Sequence, residues 1–228
     1  MSKPAVVAID GPASSGKSAI GQRIARQLGY LYYDTGALYR AVTLAALRAG
    51  VDVSDEEAVA RLARQLSLEL TRPTASDGRQ YTVLLNGKDV TWDIYSAEVD
   101  ANVSVVSAHP AVRQVLLQRQ REAAARGQVV MAGRDIGTVV CPQAELKLYL
   151  QATPEVRAQR RLRQLANRGV QADYEQILAQ IRQRDYLDQG RAVAPLRPAE
   201  DAVVIETSFL TLEDEMKIIE GILQRLDG

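Results

Sequence analysis

Residues 5–18 read Ala5-Val6-Val7-Ala8-Ile9-Asp10-Gly11-Pro12-Ala13-Ser14-Ser15-Gly16-Lys17-Ser18, an apolar run that breaks into the pattern G-x-x-x-x-G-K-[ST]. The run has no polar alternation, so it predicts a strand buried on both faces. Behind the loop, Ile20, Ile24 and Leu28 recur at helical spacing until Gly29, which predicts a helix. Strand, glycine loop and helix in that order have a physical use. The glycines let successive N–H groups converge on one concavity, and the helix start adds its positive end to the same spot. Gly11, Pro12, Ala13, Ser14, Ser15, Gly16, Lys17 and Ser18 are therefore the expected nucleotide-phosphate cradle. Lys17 would reach the outer phosphates and the Ser18 hydroxyl would hold Mg²⁺.

Outward from the loop, strand-like and helix-like segments alternate, the pattern of a parallel sheet covered on both faces. A second strand is expected at 31–33, then a helix over 38–48 and another opened by a Ser54/Glu57 capping box and running through Leu66. Further strands are expected at 129–131, 146–150 and 202–205. Thr153-Pro154-Glu155 starts a helix with a hydroxyl cap and Pro at the first helical position, and a last helix spans 211–226. Between Leu66 and Ile94 the period changes to two around an Asn86-Gly87 turn, which predicts a small antiparallel insert standing out from the core and free to move. The expected fold class is α/β: a five-stranded parallel sheet flanked by helices, plus this insert.

Composition narrows the function. The chain has 228 residues, enough for one domain with a substantial core, and its 28 Lys plus Arg balance 28 Asp plus Glu. No overall field draws it to nucleic acid or membrane, so basic groups must act locally. The single cysteine, Cys141, excludes an intramolecular disulfide and a multi-cysteine metal site and fits a reducing cytosol as a small core residue. No apolar run approaches the ~20 residues of a membrane span, and the start at Met1-Ser2-Lys3-Pro4 has no secretory pattern. A cytoplasmic chain is expected. His109 and Trp92 read as structural residues.

Three further clusters carry charge in suggestive places. Gly133-Arg134-Asp135-Ile136-Gly137-Thr138 follows the third core strand, and ligands of open parallel sheets collect beyond the strands' carboxyl ends. Arg134 and Asp135 are candidate ligand contacts, although a solvated turn would read the same. Arg184, Asp188 and Arg191 fall on one face if a helix persists that far; spacing alone favours a solvated ion-pair ladder. Arg157, Arg160, Arg161 and Arg163, with Arg168 near Gly169, make an arginine-dense helix that would either close on phosphates or simply be basic surface.

Taken together, Gly-Pro-Ala-Ser-Ser-Gly-Lys-Ser, Asp34-Thr35-Gly36-Ala37-Leu38-Tyr39-Arg40, Gly133-Arg134-Asp135-Ile136-Gly137-Thr138-Val139-Val140 and Arg184-Asp185…Asp188…Arg191-Ala192-Val193-Ala194-Pro195-Leu196 resemble the bacterial cytidylate kinases over essentially the whole chain. The resemblance implies a P-loop kinase fold with a nucleoside-monophosphate-binding insert (66–103), a core (1–65 and 104–228) and a helical lid at about 157–169. It implies transfer of the ATP γ-phosphoryl to CMP or dCMP with Mg²⁺, by a monomer. By position it puts Arg40, Arg134 and Arg184 around the acceptor phosphate, Thr35, Asp188 and Arg191 at the sugar end, and Ser104, Arg113 and Asp135 at the cytosine edge. Lys17, Arg134, Arg184 and Asp188 would be catalytic, and Arg157, Arg160 and Arg161 would contact ATP. Thr35 stands where serine is frequent and keeps the hydroxyl. Ala132 stands where an acidic residue is expected, which removes a Mg²⁺-water contact from that position.

The residue types suit this reading. Cytosine offers a donor at N4 and acceptors at N3 and O2, so a carboxylate with an arginine and a hydroxyl reads it and rejects uracil. Phosphoryl transfer needs in-line geometry and positive groups around the moving charge. The rival readings are a kinase of the same fold acting on UMP or shikimate, and a P-loop switch that transfers nothing; the guanine-reading Asn-Lys-x-Asp of such switches does not occur in the sequence.

Overall fold

Residues 6–10 form β1 (Val6–Asp10), whose Val7, Ala8 and Ile9 are fully buried. A strand covered on both faces needs a partner at each edge, and β1 has them: β6 (Val129–Gly133) on one side and β7 (Leu146–Gln151) on the other, both parallel. In the computed structural model, which describes residues 3–167 and 169–227 with the side chains of Leu226 and Asp227 excepted, the sheet is completed by β2 (Leu31–Asp34) beside β6 and β8 (Val203–Glu206) beside β7. The order is β2-β6-β1-β7-β8. Chain that leaves β1 goes to one side and chain that leaves β6 goes to the other, so the loop after β1 stands at the point where the winding reverses, the usual place for a ligand.

Helices α1 (Lys17–Leu28), α2 (Thr35–Arg48), α3 (Glu56–Gln65), α4 (Ala97–Ala108), α5 (Pro110–Ala125), α6 (Pro154–Ala166), α7 (Tyr174–Gln189) and α8 (Leu212–Asp227) cover the sheet and its margins. Ile20 and Ile24 of α1 are fully buried, which is worth about 1.5–3 kcal/mol for each side chain. Thr153 caps α6 as expected, its hydroxyl accepting from Val156 N. The expected Ser54/Glu57 box is not formed. Asp55 is the cap of α3 and accepts from Ala58 N, while Ser54 is occupied by Asp52. A carboxylate one residue nearer the helix wins the N–H.

The insert is a three-stranded antiparallel sheet, β3 (Leu68–Thr71), β4 (Thr82–Leu85) and β5 (Lys88–Asp89). Asn86 and Gly87 both have positive φ, 51° and 75°, the hairpin turn that their sequence predicts. The expectation of a freestanding insert is corrected: Leu68, Leu70, Val83 and Leu85 are buried in the same apolar core as the sheet. α4 runs without a break through residue 103, the expected end of the insert. Trp92 is half exposed, not packed, and its Nε1 donates to Asp77. His109 is structural, its Nε2 lying 2.7 Å from Val53 O, and Cys141 is buried. α6 and α7 share their own small cluster of Ala158, Ile177, Leu178 and Ile181, so the arginine-dense helix belongs to a pair wider than 157–169. Arg168 lies outside the described residues.

Candidate active site

The carboxyl ends of β1, β2 and β6 lie in register, with Asp10 opposite Gly133 and Asp34 opposite Ala132. This puts the loop at 11–18, Asp34-Thr35 and Gly133-Arg134-Asp135 around one cleft. Gly11 has φ 149°, and a Cβ there would stand 2.1 Å from Leu150 O, so only glycine lets the loop turn this close to β7. Lys17 Nζ folds onto the loop and donates to Pro12 O at 2.6 Å. Burial, then the Arg134 charge, holds the Lys17 amine well below its ordinary pKa. Ser15 Oγ is buried without a partner among the described residues, and the exposed Ser18 lines the cleft beside Lys17. Asp10, which sequence reasoning passed over, accepts from Ile136 N at 2.8 Å and Gly137 N at 2.7 Å. It ties the end of β1 to the turn after β6. Its signal was an acidic residue closing an apolar strand directly before the glycine loop.

The rest of the cleft is cationic. Lys17, Arg40, Arg113, Arg134, Arg184 and Arg191 line it against Asp34, Asp135 and Asp188, an excess of positive charge in a chain with none overall. Such a surplus fits an anionic ligand. Asp188, only 1% exposed, is the hub: it accepts from Arg134 Nε at 2.8 Å and from Arg191. Burial pushes its carboxyl up, but Arg134, Arg191 and Arg184 outweigh that and hold it low. α7 ends at Gln189, so Arg191 reaches Asp188 from the following strap and not from the helix face. Arg184 Nε has no partner among the described residues; burial and then Arg134 lower its guanidinium to about 10. Arg40 pairs with Asp100 at 2.6 Å, donates to Ile94 O at 3.1 Å and lies 5.0 Å above the Tyr95 ring.

Also on the cleft, Arg113 Nη2 donates to Asp135 Oδ2 at 2.5 Å, and its guanidinium lies 5.5 Å over the Tyr39 ring. A second cavity, of about 440 Å³, shares Tyr39, Arg113 and Asp135 with the cleft. Thr35 lines the cleft but donates its hydroxyl proton to Ala132 O at 2.9 Å. Ser104 does not line it. Ser107, nearly one turn on, does, and its hydroxyl donates to Ser104 O. Of the α6 arginines, Arg157 donates to Ala13 O at 3.3 Å while Asp185 holds its other side, and Arg160 donates to Ser15 O at 3.3 Å and Thr207 O at 2.6 Å. Both address the phosphate loop. Arg161, expected with them, turns instead to Asp100 on α4 at 3.2 Å. Ala132 puts no carboxylate on the cleft, but Asp34, its register partner on β2, does; one Asp34 oxygen accepts from Gly36 N at 2.9 Å.

The sequence model of the family described as Cytidylate kinase matches residues 7–227. The chain is 48% identical over 219 residues to a cytidylate kinase of Chloroflexus aggregans, covering 96% of this chain and 94% of that one. It is 46% identical over 223 residues to a cytidylate kinase of Herpetosiphon aurantiacus, with 98% and 96% covered. Among solved structures, an uncharacterized protein from Eubacterium ventriosum superposes with TM-score 0.53 at 9% identity, over 96% of this chain and 98% of that one. A gluconokinase from Sinorhizobium meliloti does so with TM-score 0.50 at 16% identity, over 99% and 95%. At those identities the structural likeness speaks for the fold alone.

Proposed function

The chain belongs to the cytidylate kinase family, a family of nucleoside monophosphate kinases, and we propose on that premise that it transfers the γ-phosphoryl of ATP to CMP or dCMP, giving ADP and CDP or dCDP. The observation that carries the reading is that one cleft is lined by Arg40, Arg134 and Arg184 together with Lys17 and Ser18 of the glycine loop and the Arg113–Asp135 pair. The phosphate of a nucleoside monophosphate would meet the arginines and its base the Arg113–Asp135 pair.

In this reading an acceptor phosphate oxygen attacks the γ-phosphorus, the bond from that phosphorus to the bridging oxygen breaks, and ADP leaves. Lys17 exchanges Pro12 O for phosphate oxygens, which puts its amine where charge migrates. The unpartnered Ser15 Oγ, the exposed Ser18 hydroxyl and the Asp34 carboxylate fit a magnesium nucleotide: Ser18 would hold Mg²⁺ and Asp34 its water shell. Bound there, the ion supplies neutralisation and alignment of the phosphates. Arg134 and Arg184 meet the acceptor phosphate, while Asp188 keeps Arg134 and Arg191 in place and serves the sugar end. Asp135 accepts from cytosine N4 and Arg113 donates to the N3 or O2 side. Closure of the α6–α7 pair, which has its own small core, would exclude water as a competing acceptor. We read the enzyme as a cytoplasmic monomer.

The test is coupled measurement of ADP release with ATP and Mg²⁺ across CMP, dCMP, UMP, AMP and shikimate. CMP and dCMP should lead by an order of magnitude or more, and a chelator should stop turnover. Equal rates with UMP, or ATP binding with no acceptor-dependent release, would favour the rival readings.

A further inference from the structure

Asp100 stands in the first turn of α4, outside the lining of the cleft, and each of its carboxylate oxygens takes a different arginine. Oδ1 lies 2.6 Å from Arg40 Nη1, and Oδ2 accepts from Arg161 Nη2 at 3.2 Å. Arg40 faces the cleft from α2. Arg161 belongs to α6, the helix whose Arg157 and Arg160 donate to the loop carbonyls of Ala13 and Ser15. One carboxylate thus joins the acceptor side of the cleft to the helix that braces the donor side. The two pairs are partly exposed, with Asp100 at 32%, Arg40 at 15% and Arg161 at 27%, and ion pairs of that kind add little to folding. Their geometry bears on the position of Arg40 instead.

We propose that Asp100 is a positioning residue that couples occupancy of the acceptor-phosphate site to α6; the inference rests on the acceptor reading given above. Asp100 neutralises Arg40 and fixes its guanidinium, together with Ile94 O and the Tyr95 ring. An arriving phosphate competes for Arg40. The carboxylate it displaces then has Arg161 as its cation, which draws α6 towards α4 over the loaded loop. Acceptor binding therefore strengthens donor binding, and by linkage the donor strengthens acceptor binding by the same factor.

The experiment is calorimetric titration of CMP into the wild type, Asp100→Asn and Arg161→Gln, each with and without a saturating non-hydrolysable ATP analogue and Mg²⁺. In the wild type the analogue should tighten CMP on the order of 5-fold or more. In both variants that factor should fall to within about 2-fold of unity. Without the analogue, Asp100→Asn should bind CMP at least as tightly as the wild type, because the competing carboxylate is gone, and Arg161→Gln should bind it no more tightly than the wild type, because the displaced carboxylate has lost its cation. Retention of the wild-type factor in either variant, or a wild-type factor of one, overturns the coupling. Arg161→Gln leaves Asp100 on Arg40 and decides the matter alone if Asp100→Asn does not fold. If CMP binds to none of the three proteins, the acceptor reading itself falls and the coupling with it.

Discussion

Arg113 and Asp135, 22 residues apart on α5 and just after β6, form a buried ion pair with Nη2 2.5 Å from Oδ2, each side chain at most one-tenth exposed. The pair orients a donor and an acceptor side by side on the cleft. Asp135→Asn keeps the size but offers both a donor and an acceptor, so discrimination between CMP and UMP should shrink, chiefly through loss of kcat/KM for CMP. A bidentate base contact is worth about 1–3 kcal/mol, so the ratio should fall by about one to two orders of magnitude. The check is kcat/KM for both nucleotides in both proteins. Equal losses would mean that Asp135 supports the phosphate site through its neighbour Arg134.

Lys17 is buried and held below its ordinary pKa by burial and by Arg134, and its hydrogen-bond partner is the backbone carbonyl of Pro12. Such a group costs the fold more than it returns. Lys17→Ala should therefore leave the melting temperature unchanged or raised while kcat drops by about 10²–10³-fold, the loss seen when one transition-state donor is removed. Thermal melts and single-turnover rates decide it, and near-normal kcat with an intact fold would refute the role given to the loop.

The shape of the glycine loop was legible because it is encoded in local spacing: the end of β1, the turn at Gly11 and the start of α1 at Lys17 fall within eight residues. The alternation of strands and helices was legible for the same reason, since periodicity reports one face at a time. Pairings set by tertiary register were not. Asp10 meets Gly137 across 127 positions and Arg134 meets Asp188 across 54, and no window of sequence contains both ends. Arg160 and Arg161 show the limit within one helix. At three and four residues beyond Arg157 both share its face by spacing, yet one reaches Ser15 O and the other Asp100. Ser107 was likewise hidden by Ser104 on the same helix. The docking of the insert depends on which face of β3 and β4 meets the core, which alternation reveals only as a face, without its partner.

Asp185 neutralises the Arg157 guanidinium, and the two side chains are 15% and 3% exposed. Asp185→Ala leaves a cation buried beside the carbonyls of Ala13 and Ala152. Breaking such a pair costs about 3–5 kcal/mol, a fall in Tm of roughly 6–20 °C for a chain of this size. The exposed pair Arg182–Glu155 on the same two helices, 60% and 47% exposed, is the control, and Glu155→Ala should leave Tm nearly unchanged. Similar losses in the two variants would show that the Arg157 pair is not a structural element.

Burial raises the Asp10 carboxyl from 3.8 to about 6, against the N–H groups of Gly137 and Ile136, which pull it down. The folded protein therefore binds a proton at Asp10 between those values where the unfolded chain does not, and stability changes with pH as the unfolded minus the folded proton count. That difference is negative here, so the contribution of Asp10 to stability declines as pH rises from about 4 to about 6 and is flat above. The full drop is about 3 kcal/mol at most. Carboxylates held low by arginines, such as Asp188, contribute with the opposite sign, so the wild-type curve alone does not isolate the effect. Asp10→Asn removes this titration and leaves the others. Asparagine accepts from only one of the two N–H groups, so the variant is less stable at low pH, and the gap should close by up to about 3 kcal/mol between about pH 4 and about pH 7. Urea denaturation of both proteins across that range measures the gap. A gap that stays constant or widens with pH would mean that Asp10 is ionised throughout and that its two backbone donors outweigh its burial.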